Sequence, residues 1–349
     1  MAVDFDLLKE IVRIPGAPGF ENDIRNFVAK QVESSVDEMS TDNMGNLVTV
    51  KRCGVDSAPK VMLAAHLDEI GFIVTHITDD GFLRFHPLGG FDPKTLTSQR
   101  VIVHGKKDLI GVMGSKPIHV MKPEERKKSV ELSDFYIDLG LPGDEVKKHV
   151  EIGDAVTRDR ELIKMGDCFN GKSLDNRISV YILAEVMKKV KAKGVDVYGV
   201  FTVQEEVGIR GAQVATLAIQ PDFGLAIDTT IAFDLPGSAE HEKITKLGEG
   251  TGIKIYDTSS ICDRRMIQFL KNTAERESIQ WQPELLTGGG TDTSGIQRFK
   301  AGGSIAGAVS IPTRHIHQTI EMVHEKDVEA SIELIVKAVE GIADNNWEA

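Results

Sequence analysis

Cysteine is scarce in this chain of 349 residues. Only Cys53, Cys168 and Cys262 are present, and none belongs to a Cys-x-x-Cys pair. So sparse and odd a set excludes a disulfide framework and points to a reducing compartment. Basic blocks are absent as well, and the net charge is −12, which argues against nucleic acid and anionic membranes as partners. The acidity keeps a protein dissolved and would also draw cations or amines. No apolar run approaches the length of a membrane span. The N-terminal stretch Met1-Ala2-Val3-Asp4-Phe5-Asp6 lacks both the basic region and the apolar segment of a secretion signal. These absences predict a cytoplasmic protein. What is present, 41% hydrophobic and 27% charged residues, suits one large globular domain or two ordinary ones.

Along the chain, residues Asp4 to Val32 read as helices broken at Pro15-Gly16-Ala17-Pro18-Gly19. Asn46–Lys51 alternates like a strand, and the apolar run Val61–Ala65 reads as a central one. The character then changes. Ile70–Ile77, Phe82–His86, Arg100–His104 and Leu109–Met113 are short strand-like segments separated by glycine turns, the mark of a small barrel or sandwich. Lys122–Lys128 reads as a solvated loop, and strand signals resume at Phe135–Leu139 and end near Arg160. Helix and strand then alternate, with helices predicted over Arg177–Lys191, Ala212–Ala218, Asp263–Arg276 and Val328–Ile342. The simplest architecture is an α/β domain formed by residues 1–68 and 161–349, carrying an all-β domain over 69–160.

Several apolar runs end in side chains that bind metal. Val61–Ala65 leads into His66 and Asp68, and Phe223–Ile227 leads into Asp228. Val197–Val203 leads to Glu205 and Glu206, and Ser304–Ile311 runs toward His315 and His317. Each ending alone is ordinary, since lone histidines are often packed core residues and lone aspartates often close turns. Together they converge, because sites in open α/β sheets form beyond the carboxyl ends of the strands. Buried carboxylates there need a compensating charge, and a divalent cation supplies it. Asp68, two residues after His66, suits a carboxylate that orients a ligating imidazole. Glu205 and Glu206 point apart in an extended chain, so one is free to bind metal while the other acts as a base. Ser173-Leu174-Asp175 reads as a plain helix start with a capping aspartate.

Taken in order, these segments resemble the M42 family of metallo-aminopeptidases. The resemblance rests on Ala65-His66-Leu67-Asp68-Glu69-Ile70-Gly71-Phe72, Leu174-Asp175-Asn176-Arg177 and Gln204-Glu205-Glu206-Val207-Gly208-Ile209-Arg210-Gly211-Ala212. It continues through Ala226-Ile227-Asp228-Thr229-Thr230, Gly288-Gly289-Gly290-Thr291-Asp292 and Pro312-Thr313-Arg314-His315-Ile316-His317. The resemblance implies a mixed, mostly parallel sheet flanked by helices, of the zinc-peptidase type, with an inserted β domain. It implies two divalent ions, zinc or cobalt. His66 and Asp228 would hold one, Glu206 and His317 the other, and Asp175 would bridge them. Glu205 becomes the general base and Asp68 the partner of His66. Many relatives have Tyr where this chain has His315, so His315 competes with His317 for the ligand role. The implied activity is removal of N-terminal residues from peptides with free N-termini, through a water activated by both metals. The implied assembly is a homo-oligomer, a dimer or a hollow tetrahedral dodecamer.

Three other readings compete. Gly166-Asp167-Cys168-Phe169-Asn170-Gly171-Lys172-Ser173 satisfies the phosphate-loop pattern G-x-x-x-x-G-K-S, although Asp167 and Asp175 would repel phosphate. An endoglucanase-like glycosidase would use Glu205 with a second carboxylate but would leave the histidines without a role. A non-catalytic peptide-binding scaffold would be expected to have lost a ligand or the base.

Overall fold

The computed structural model describes residues 2–348, so Met1 and Ala349, the outer bounds expected of the α/β domain, lie outside the described residues. At its centre four strands run parallel, in the order Asp196–Thr202, Lys60–His66, Phe223–Ile231, Ile305–Arg314. Antiparallel strands flank them. Glu38–Thr41 and Leu47–Lys51 lie on one side, and Glu321–His324, Cys168–Gly171 and Ile163–Met165 on the other. Thr251–Tyr256 and Trp281–Leu285 branch from the Ile305–Arg314 strand to complete eleven strands in a mixed sheet.

Alternation along the strands serves both faces, since successive side chains point to opposite sides. Val61, Leu63 and Ala65 join the larger core, beneath the helices Phe5–Arg13, Asn22–Val32, Leu174–Lys189, Arg264–Glu277 and Glu325–Gly341. Met62 and Ala64 join a smaller core on the opposite face, beneath Arg210–Ile219 and Asp292–Arg298. A strand covered on both sides has no reason to alternate in polarity, which is why Val61–Ala65 reads as an unbroken apolar run. Helix starts follow their caps. Asp4 accepts from the Leu7 N–H at 3.0 Å, and Asp263 accepts from the Arg265 N–H at 2.9 Å.

The second unit is a closed six-stranded barrel. Its strands run in the order Gly71–Ile77, Leu83–Leu88, Tyr136–Asp138, Asp108–Gly114, Arg100–His104, Ala155–Arg158. Phe72, Val74, Leu83, Val101, Val103, Ile137 and Val156 fill it as a separate core. The chain enters the barrel just after Asp68 and leaves it at Arg158, so both crossings lie beside the ends of the parallel strands. A buried charge cluster joins the two units there. Lys172 Nζ donates to both Glu69 carboxylate oxygens, at 2.8 and 2.7 Å, and Arg177 NH2 lies 3.6 Å from Glu69. Ser173 Oγ donates to the same carboxylate and accepts from Arg158 NH2 at 3.2 Å.

That cluster settles the phosphate-loop alternative. Cys168–Gly171 is a strand paired with Glu321–His324, and Lys172 is buried on Glu69. The segment from Gly166 to Ser173 therefore forms no open loop to cradle a phosphate, and its lysine is not free to meet one. No helix among the described residues is long and apolar enough to cross a membrane.

Candidate active site

Strand register brings the candidate residues level with one another. Thr202 pairs with His66, and Ala226 pairs with Ala64, so Asp228 lies abreast of His66 two residues further on. Beyond Thr202 the strand breaks at Gln204, whose φ is +56°, and the two glutamates diverge onto different imidazoles. Glu205 Oε2 lies 3.8 Å from His66 Nε2, whereas Glu206 Oε2 lies 3.3 Å from His317 Nε2.

Asp175 lies between the two histidines. Its Oδ1 is 3.5 Å from His66 Nε2 and its Oδ2 is 3.3 Å from His317 Nε2. Asp228 Oδ1 is 3.7 Å from His66 Nε2. The helix-cap reading of Asp175 fails. Ser173 holds the cap position in the left-handed region and no side chain caps the helix. Asp175 and Asn176 depart from helical geometry, so Asp175 is turned toward the histidines. Asp68 lies deeper. Its carbonyl oxygen is 3.1 Å from His66 Nδ1 and its carboxylate 3.5 Å away. That carboxylate accepts from the Glu205 N–H at 3.1 Å and the Glu206 N–H at 3.0 Å. One residue therefore fixes the His66 ring and the backbone of both glutamates.

The donors form two sets of metal-binding geometry. His66, Asp175 and Asp228 offer ligand atoms within 4.8 Å of one another, and so do Asp175, Glu206 and His317. Asp175 is common to both. Imidazole and carboxylate donors suit zinc, cobalt and related ions. Glu206 Oε1 is buried with no hydrogen-bond partner, an acceptor that a cation would satisfy. The electrostatics agree. Burial opposes charge on His66, but Asp175, Asp228 and Asp68 outweigh it and lift its pKa well above the usual imidazole value. A field that holds a proton on this ring so firmly also favours a divalent cation in its place. Burial pushes Glu205 well above the ordinary carboxylate range, with His66 opposing and Asp228, Asp292 and Glu206 adding to the rise.

A cavity of about 710 Å³ opens onto these groups, lined by His66, Asp175, Glu205, Glu206, Asp228 and His317. His315 also lines it but belongs to neither ligand set. The surrounding backbone is strained. Ser173, Gln204, Ile209, His315 and His317 all have φ between +56° and +65°, a conformation that costs about 1–2 kcal/mol in a non-glycine residue.

Sequence reasoning missed Glu321 and Arg158. Glu321 is fully buried. Its carboxylate accepts from the Asp175 N–H at 2.8 Å and from the His317 N–H at 3.2 Å. Arg158, at the exit of the barrel, lies 3.9 Å from that carboxylate and donates to the Gln318 carbonyl. A lone acid in Ile320-Glu321-Met322 carries no mark that separates it from a surface glutamate. Only the fold, which brings it 146 residues back along the chain to Asp175, gives it a role.

A mixed sheet with imidazoles and carboxylates gathered at its carboxyl edge defines a class, the metal-dependent peptidases. The chain belongs to the M42 glutamyl aminopeptidase family, whose model matches residues 45–334. The lysyl aminopeptidase of Pyrococcus furiosus is 32% identical over 341 residues, 95% of each chain. Among solved structures, aminopeptidase APDkam598 of Desulfurococcus kamchatkensis is similar with a TM-score of 0.91 at 38% identity, covering 96% of this chain and 94% of that one. The TET1 peptidase of Pyrococcus horikoshii, which can assemble into a tetrahedron or a large octahedral shell, has a TM-score of 0.85 at 31% identity, covering 96% and 98%. The chain is thus an aminopeptidase by family.

Proposed function

We propose that this aminopeptidase uses two divalent ions, zinc or cobalt, to release single residues from peptides with free N-termini. The observation that carries the reading is the pair of ligand sets sharing Asp175. His66 and Asp228 would complete one site, Glu206 and His317 the other. Bound there, such ions polarise a carbonyl and acidify a water. Glu205 is the general base. It belongs to neither ligand set and faces the cavity, and burial raises its pKa well above the ordinary carboxylate range, which strengthens it as a base. It takes the proton of the attacking water and delivers it to the departing amine. Asp68 keeps Glu205 and Glu206 on their separate tasks through the two N–H bonds. Positioned acid–base groups contribute about 10²–10⁴ in rate. Glu205→Gln is therefore expected to retain metal and fold while losing at least that much kcat. Full activity in that variant, with metal content measured alongside, would remove Glu205 from the mechanism.

The glycosidase alternative finds no support in this arrangement, because its two carboxylates would have to flank a sugar bond about 5 Å or more apart and leave both imidazoles idle. Cellulose hydrolysis that survives a chelator is the result that would restore it. The scaffold reading has lost its motive, since no ligand and no base is missing. Following the P. horikoshii TET1 peptidase, the chain is proposed to assemble as a homo-oligomer, up to a dodecamer, in the cytoplasm. Light scattering of the purified protein tests the assembly, and a monomer at all concentrations would overturn it.

A further inference from the structure

Beyond the ligand groups, the wall of the cavity is mostly apolar, with Ile231, Phe233, Leu235, Leu286 and Ile316 facing it beside three threonines, His315 and Gln318. Ile231 and Phe233 are each 37% exposed, apolar surface left open toward the space where substrate must enter. Among the described residues, the one Lys, Arg, Asp or Glu in that wall apart from the proposed ligands and base is Lys254. It is not free. Its Nζ donates to Glu284 Oε1 at 2.6 Å and lies 3.5 Å from Asp257 Oδ2. Glu284 is completely buried, accepts a further bond from Thr230 Oγ1 at 2.8 Å, and does not line the cavity.

We infer that the enzyme prefers N-terminal residues with uncharged apolar side chains, and that Glu284 sets this preference by occupying the Lys254 ammonium. The inference rests on the aminopeptidase reading above. A substrate carboxylate reaching Lys254 would have to displace a buried, hydrogen-bonded partner, and it would approach a cluster of one cation and two carboxylates. A substrate ammonium would meet a wall to which Lys254 belongs and neither Glu284 nor Asp257 does. Beside Lys254 neither charge finds a free partner, and discrimination by a desolvated unpaired charge is strong. An aliphatic or aromatic side chain instead covers Ile231, Phe233 and Leu286 and disturbs nothing.

The test is kcat/KM for a set of aminoacyl p-nitroanilides (Leu, Met, Phe, Glu and Lys) with metal-loaded enzyme, its Glu284→Gln variant and its Phe233→Arg variant. The native enzyme is expected to favour the apolar residues at least tenfold over Glu and over Lys. Glu284→Gln removes the closer of the two carboxylates, leaving the ammonium with Asp257 alone at 3.5 Å, and should raise the Glu-to-Leu ratio at least tenfold. Phe233→Arg, a change at an exposed position that does not burden the core, should raise the same ratio by placing an unpaired cation on the wall. A native preference for Glu or Lys would overturn the inference. So would ratios that stay unchanged in the Arg variant and in a folded Gln variant. No release from any substrate would instead overturn the aminopeptidase reading, and the inference with it.

Discussion

The two adjacent glutamates reach different imidazoles across one left-handed backbone position. An extended chain already separates neighbouring side chains, and the left-handed Gln204 turns that separation into two destinations, His66 for Glu205 and His317 for Glu206. His66, Glu205, Glu206, Asp228 and His317 were legible because each follows an apolar run. Asp175 was not, since an aspartate at a helix start has a commoner use. Nor was Glu321, whose partners are backbone N–H groups far away in sequence. Glu321 is nevertheless expected to matter as much as a ligand. Glu321→Gln keeps the size but loses the charge and one acceptor, leaving an amide N–H₂ to face a backbone donor. Groups that orient ligands are typically worth about 10–100-fold in metal affinity. Chelator competition should detect a loss of that order in the variant, with a circular dichroism spectrum unchanged from the native protein. Native affinity would mean that the backbone holds Asp175 and His317 without help.

Elements were readable where local rules and packing agree. The helix predicted over Asp263–Arg276 spans Arg264–Glu277, with Asp263 as its cap. The Arg265 side chain donates to the same carboxylate at 2.7 Å, and this bond, opposed by partial burial, holds Asp263 below the ordinary aspartate value. Asp263→Ala is expected to cost about 1 kcal/mol in urea unfolding at neutral pH. Because the folded pKa is depressed, the stabilisation is present above the unfolded value of about 3.9 and lost as pH falls through the folded one. The gap between variant and native protein should therefore close in acid; a gap that persists would show that the side chain acts by packing. Less was readable in the flanking strands. Ile163–Met165 is exposed throughout and Cys168–Gly171 spans four residues, too short for periodicity to speak. Cys168–Gly171 is set by pairing with Glu321–His324, a tertiary partner that no local window contains, and Ile163–Met165 is set by pairing in turn with Cys168–Gly171.

At the scale of the molecule, the structure concentrates cost at one place. The two ligand sets contain three carboxylates and two imidazoles, three of the five groups buried and two half-buried, and the neighbouring backbone is strained. A bound cation offsets part of that cost only in the folded state. Stripping metal with a chelator should lower the melting temperature, and adding zinc or cobalt should restore it. At a free metal concentration 100-fold above Kd the stabilisation is about 2.7 kcal/mol. Calorimetry with and without metal measures this directly, and equal transitions would place the ion outside the folded site. The division into a sheet and a barrel was legible from composition, but the joint between them was not. Glu69 and Arg158 stand at opposite ends of the inserted segment and are linked through the Ser173 hydroxyl. Arg158 is also the cation beside Glu321, which holds Asp175 and His317 in place. A chain with its barrel unfinished therefore lacks the support of both ligand sets. Barrel and site are thus one mechanical unit: a change that loosens Arg158 in the barrel is felt at Glu321 and, through it, at Asp175 and His317.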